Sequence, residues 1–201
     1  DAVDHQIRAK AMPPPVVMTR WDDNSVVFPI TGFDKAGKRA SFNVLLLTKE
    51  YAWVRGSTGE LVKGGRVLAA GDVLKEIFSE RVRQGLKPSK QLIAVGIASQ
   101  EGDPDVELKR AGDRAKQTAD WTRAALGAEV ELWTLNLGQY RIACTGCETG
   151  DTNWQRPFVL IAVRDQEAAV VIAEALANAM TDRANVPSPE SYSAFRMERL
   201  K

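Results

Sequence analysis

The chain has 201 residues, 44% of them hydrophobic and 26% charged, with Lys+Arg 27 against Asp+Glu 26. That length and apolar content suit one sizeable domain with extensions, and the charge balance lacks the basic excess expected of a nucleic-acid binder. No apolar run nears the roughly 20 residues that span a bilayer, and the one histidine, His5, excludes a histidine triad or a multi-histidine metal site within one chain.

Residues 1–24 read as a polar arm or linker. Met12-Pro13-Pro14-Pro15 favours extended, solvated backbone, since proline removes a donor and fixes φ. The chain starts at Asp1 and not at Met, the form of a processed or trimmed product; an anchor upstream of residue 1 would then use this arm as its tether and be the only membrane link.

A β-rich segment is expected over 25–70. Ser25–Ile30 and Ser41–Leu47 read as strands joined by a turn at Phe33-Asp34-Lys35-Ala36-Gly37-Lys38, with Asp and Gly where a hairpin needs them. Tyr51–Arg55 reads as a third strand, and Gly64–Gly71 as a loop or short strand. Asp72 is placed to cap a helix running to about Gln84, with Val73, Leu74, Ile77, Phe78 and Val82 on one stripe and Gly85 as its stop.

Leu92–Ala98 is apolar on both faces, the pattern of a covered central strand. Asp103-Pro104 then forms a strong helix start, with Asp105 and Glu107 at the positive end of the dipole. Leu108, Ala111, Ala115, Thr118, Ala119, Thr122 and Leu126 follow helical spacing on a stripe of mainly small residues, and Gly127 ends the helix. Val130–Leu135 alternates as a strand. Gly138–Asn153 is a loop holding Cys144 and Cys147. Phe158–Val163 is a second continuous apolar strand, Asp165 is placed to cap a final helix from Gln166 to about Met180, and 183–201 reads as a tail. The fold class is α/β (α+β), a mixed β-sheet with helices packed on it. One globular unit is expected over 25–182, with a core at 71–165 and a C-terminal helix at 166–182.

No G-x-G-x-x-G or G-x-x-x-x-G-K fingerprint is present, and no cofactor or metal is expected. The acidic loop Glu101-Gly102-Asp103-Pro104-Asp105 lacks EF-hand spacing and is read as helix-start chemistry. Ser99 has no histidine to activate it. Cys144 and Cys147 form C-x-x-C; a short-loop disulfide leads, with a redox pair, half a zinc site and free thiols left open. The five tryptophans are scattered through different elements, which favours packing over a carbohydrate platform.

Gly96 to Gln117, GIASQEGDPDVELKRAGDRAKQ, resembles the central motif of the OmpA-like peptidoglycan-binding domain. That pattern runs G-H-T-D-x-x-G, a spacer, an Asn, and a helix carrying Arg-Ala. Gly96, Gly102 and Arg114-Ala115 keep its spacing without a gap. Asn153-Trp154-Gln155-Arg156-Pro157-Phe158-Val159 stands where the family's last strand opens with N-R-R-V-E-I. The resemblance covers about residues 60–165. It implies a non-enzymatic, periplasmic or outer-membrane-associated domain that holds the diaminopimelate group of the peptidoglycan stem peptide, the aspartate meeting its ammonium and the arginine its carboxylate.

This chain departs from that pattern. Ala98 stands at the threonine position, Ser99 at the aspartate, Ile97 at the histidine and Glu107 at the asparagine; Arg114 is retained. Losing the acid that meets an ammonium costs several kcal/mol. Glu101, Asp103 or Glu107 would have to supply the charge. The expected ligand face is therefore Ser99, Glu101, Glu107 and Arg114, with weak or lost cell-wall binding. The alternative is a protein–protein module of an envelope-spanning assembly, of secretion, motility or conjugation type. An enzyme on this scaffold would need Asp, Glu, Lys, Tyr or Cys as its base.

Overall fold

The computed structural model describes residues 18–142, 149–183 and 185–201. The proline tract and the C-x-x-C pair, with its expected disulfide, lie outside the described residues. In chain order the strands and helices are β1 (Thr19–Asp22), β2 (Ser25–Phe33), β3 (Arg39–Leu47), β4 (Tyr51–Trp53), β5 (Leu61–Lys63), β6 (Arg66–Leu68), α1 (Ala70–Glu76), α2 (Glu80–Leu86), β7 (Gln91–Ala98), α3 (Pro104–Leu126), β8 (Glu131–Gln139), β9 (Val159–Gln166), α4 (Ile172–Met180) and β10 (Arg196–Arg199). Seven strands form one mixed sheet in the order β1-β2-β3-β9-β7-β8-β10, and β4-β5-β6 form a small separate sheet. None of the described helices is long and apolar enough to cross a membrane.

The hairpin expected from the Asp34 turn forms with Ser25 opposite Leu47 and Phe33 opposite Arg39. Asp34 Oδ1 accepts from the N–H groups of Ala36 and Lys38 at 3.0 and 2.8 Å, while Gly37 takes the left-handed conformation at φ +83. β7 lies near the sheet's centre between β9 and β8, and its residues Leu92 to Ala98 are buried, as its two-sided apolar run demands. β7 and β8 are parallel, linked by α3 as a crossover.

Side chains alternate between two cores. Phe28, Val44, Ile93, Val95 and Ile161 join α4 on one face, while Leu45, Leu92, Leu160 and Phe158 meet α1, α2 and the small sheet on the other. Gly96 lets α3 approach β7 closely: a Cβ there would lie 1.7 Å from the Ala111 carbonyl oxygen. The small-residue stripe of α3 is the other half of that fit.

Several expectations are corrected. The helix expected to run unbroken from Asp72 to Gln84 is two helices. Ile77 and Phe78 turn inward at the break, and Ser79 caps the second helix, accepting from Val82 N at 3.3 Å and donating to Asp22 Oδ2 at 2.5 Å. Gly85 is not a stop but a close approach, since a Cβ there would meet the Trp21 ring at 2.6 Å. Asp165 lies in β9, not at a helix cap. α4 starts at Ile172 without a side-chain cap bond, and the N–H of the preceding Val171 donates to Asp34 Oδ2 at 3.0 Å, so a distant carboxylate anchors the chain just ahead of the helix. The stretch read as a tail contains buried Val186 and Tyr192 and a terminal strand, β10, paired antiparallel with β8. Thr19–Asp22, read with the arm, forms the opposite edge strand.

Candidate functional site

The four residues expected to face a ligand sit around the turn from β7 into α3. Gly102 makes that turn at φ +93. Asp103 caps α3, with its side chain accepting from Asp105 N at 2.9 Å and Val106 N at 3.4 Å and Pro104 following as the first helical residue. Asp103 is therefore engaged with the helix end.

Arg114 projects from α3 into the protein and is 1% exposed. Its Nε donates to the Ser57 carbonyl at 2.9 Å and its two terminal nitrogens donate to the Ile97 and Val54 carbonyls at 2.8 and 3.2 Å. The guanidinium carbon lies 5.5 Å from the centre of the Trp53 ring, within cation–π range. Val54 and Ser57 belong to the turn between β4 and β5, so that turn lies over the arginine. Burial, then the charges of Arg156 and Arg110, push the guanidinium down to about 9 against an opposing contribution from Glu107; it is still charged at neutral pH.

Ser99, 5% exposed, faces Arg156: an Arg156 terminal nitrogen donates to Ser99 Oγ at 3.2 Å and to Thr152 Oγ1 at 2.9 Å. Arg156 Nε also donates to the Trp53 carbonyl at 2.9 Å, and its other terminal nitrogen meets Asn153 Oδ1. Burial pushes the Arg156 guanidinium down, partly opposed by Glu101 and Glu107.

Glu101 accepts from the Thr152 hydroxyl. Burial works upward on this carboxyl, but the hydroxyls of Ser99 and Thr152 and the charge of Arg156 outweigh it, so it stays below its ordinary 4.5. Glu107, 4% exposed, pairs with Arg110 and lies over Gly102, where a Cβ would sit 2.7 Å from its Oε1.

Two glutamines fasten the turn from outside the expected set. Gln139 Nε2 donates to the carbonyls of Gln100, Glu101 and Gly102 at 2.9, 3.3 and 3.1 Å. Gln155 accepts from Gln100 N at 2.9 Å, and the Tyr192 hydroxyl donates to the Gln155 carbonyl at 3.1 Å. The sequence flagged Arg156, with Gln155 beside it, only through the N-W-Q-R segment set against the family's last strand; nothing in it flagged Gln139 or Thr152.

Ser99, Glu101 and Arg156 thus form one hydrogen-bonded group, Glu107 pairs beside it, and Arg114 stands beneath the β4–β5 turn. Among the described residues, no group of three or more His, Cys, Asp or Glu side chains is arranged to hold a metal. The Ser99 hydroxyl lies between the Arg156 guanidinium and the Glu101 carboxylate.

No family model matches the chain, and no curated protein is matched. Among solved structures, the periplasmic domain of MotB is similar at 9% identity, over 81% of this chain and 84% of that one, with a TM-score of 0.49. The OmpA-like domain of FopA1 from Francisella tularensis subsp. tularensis SCHU S4 is similar at 14% identity, over 76% and 82%, with a TM-score of 0.39. At these identities the likeness concerns the fold alone.

Proposed function

We propose that this chain is a non-enzymatic, OmpA-like domain of the bacterial envelope whose cell-wall site is closed by its own backbone, and that it works through protein–protein contact. The motif at Gly96–Gln117 and the strand–helix–strand unit built on it support the family reading. The observation that carries the closed-site reading is Arg114: at 1% exposure it spends its donors on three carbonyls of its own chain. A ligand carboxylate would have to displace the Val54–Ser57 turn to reach it. At the neighbouring position Ser99 supplies no charge for an ammonium, and Glu101 is held by Thr152 and Arg156.

Sedimentation with purified peptidoglycan tests this. The expected result is no retention above that of an unrelated protein, for the native chain and equally for Ser99→Asp, because Arg156 stands ready to pair with a carboxylate placed there. Retention of the native chain that is lost in Glu101→Gln and in Arg114→Ala would overturn the closed-site reading in favour of weak cell-wall binding through Ser99, Glu101, Glu107 and Arg114.

A further inference from the structure

A groove of about 800 Å³ crosses the same end of the main sheet, away from Arg114. It starts at Met18 and Arg20, passes the start of β2 and the end of β3, and reaches Tyr140 and Trp154. Its inner wall is apolar, made by residues such as Val26, Phe28 and Leu46. At the far end three rings form an edge-to-face series: Tyr140 to Trp154 at 5.0 Å and Tyr140 to Tyr192 at 5.4 Å between centroids. Trp154 is 56% exposed and Met18 50%. A tryptophan and a methionine held open at the two ends of one apolar trough have the character of a contact surface.

The charges are one-sided. Arg20 and Lys49 are the charged residues of the lining, and no Asp or Glu is among them. Neither cation is in an ion pair among the described residues. Both lie at the β1–β2 turn end, where Thr48 N donates to the Asn24 carbonyl.

We propose that this groove receives an extended, proline-containing segment of a partner protein that carries carboxylates at the Arg20–Lys49 end. The proposal rests on the protein–protein reading above and names the partner's chemistry. Aromatic-lined troughs suit polyproline segments, which enter already extended and lose little entropy. From β1 to β8 the sheet order counts five strand spacings of about 4.8 Å each. At about 3.1 Å per residue that span matches a segment of about eight residues. The chain's own arm is the poorer occupant by charge. Between His5 and Trp21 it has no acid, and Arg8 and Lys10 would bring two more cations towards Arg20 and Lys49.

The test titrates the full chain against a fluorescein-labelled nine-residue peptide, two glutamates followed by alternating prolines and leucines. Saturable binding is expected, weakened about tenfold or more by Trp154→Ala, in keeping with an exposed aromatic anchor. The double variant Arg20→Glu with Lys49→Glu should lose the acidic peptide and gain one in which lysines replace the glutamates. Absence of saturation with the native chain, or binding indifferent to Trp154→Ala, overturns the proposal. So does a tenfold gain in affinity on replacing Pro13, Pro14 and Pro15 by glycine, since the arm would then be the occupant. A dimer on sizing that dissociates with the acidic peptide assigns the groove to a second copy and also overturns it. Peptide binding reads Trp154 and peptidoglycan retention reads Arg114. A failed titration with no retention retires the groove alone, and retention with a successful titration retires the closed site alone.

Discussion

Replacing Arg114 by alanine separates a structural arginine from a ligand-binding one. Truncation removes the partner of the Ile97 carbonyl, whose bond to Arg114 is buried, and of the Val54 and Ser57 carbonyls, whose bonds are part-buried. A buried acceptor left unsatisfied costs about 1–3 kcal/mol, and each of the two more accessible bonds contributes about 0.5–1.5 kcal/mol. The void left against Trp53 adds to this. Relief from burying a cation, the same cause that lowers the Arg114 pKa to about 9, works the other way. The net loss expected is about 3 kcal/mol. Urea unfolding at pH 7, followed by tryptophan fluorescence, measures it. Near-ultraviolet dichroism should change as well, because Arg114 lies over Trp53, whose ring stacks on Trp121 at 5.4 Å. Arg114→Met, which fills most of the void and removes the buried charge, should cost less than Arg114→Ala. A loss below about 1 kcal/mol in Arg114→Ala, the size expected of an exposed arginine, would refute the reasoning and return Arg114 to the surface.

Two further perturbations read the frame around the site. Gly96→Ala places a methyl 1.7 Å from the Ala111 carbonyl oxygen and 2.6 Å from Ala115 N, so α3 has to move; urea unfolding should show a loss at or above the upper end of the about 1–3 kcal/mol typical of overpacking, while Gly65→Ala, with nothing within 4 Å, should stay within about 0.5 kcal/mol of the native chain. Asp34 is held below its ordinary 3.8, first by the Val171 N–H and against burial, then by the N–H groups of Lys38 and Ala36. A carboxyl depressed in the folded state stabilises fully above its unfolded value and loses that contribution as pH falls through the folded one. Asp34→Asn should therefore be less stable than the native chain at pH 6, and the gap should close below pH 3.8 in an acid titration of thermal midpoints. A gap independent of pH would show that the carboxylate charge is not what holds the turn to α4.

The elements that the sequence disclosed are those in which local chemistry and tertiary packing agree. Asp103-Pro104 announces α3 because cap, fixed φ and apolar stripe all point to the same start. Leu92–Ala98 announces β7 because both its faces are apolar. The misreadings lie where a distant residue takes over a local role. The stripe from Asp72 to Gln84 looks continuous, but burying Ile77 and Phe78 together bends the chain, and Ser79 then caps a new helix with help from Asp22. Asp165 looks like a cap, but Asp34, far away in sequence, supplies the acceptor near α4. Tyr192 and β10 look like a tail, since Arg196-Met197-Glu198-Arg199 offers a single apolar residue and its partner strand β8 is remote. At the site, Gly96, Gly102 and Arg114 were legible as a spacing. The direction in which Arg114 points was not, because it depends on Trp53, Val54 and Ser57, about 60 residues earlier.

Those three residues tie the small sheet to the fate of the site. β4 and the turn after it provide the ring beneath Arg114 and two of its acceptors, and the Trp53 carbonyl also takes Arg156 Nε. Both buried arginines are thus satisfied chiefly by neutral acceptors of this chain. A ligand carboxylate competing for Arg114 would have to offset those bonds, the displacement of a packed turn and the entropy of association, which alone is estimated at about 4 kcal/mol or more. An acid at position 99 would not open the site, since Arg156 is already within hydrogen-bonding distance there. Arg114 joins the β4–β5 turn to the end of β7, and under the closed-site proposal it has that structural role in place of ligand capture. The aromatic groove beside the Asn153–Trp154 segment is a surface that this closure leaves open.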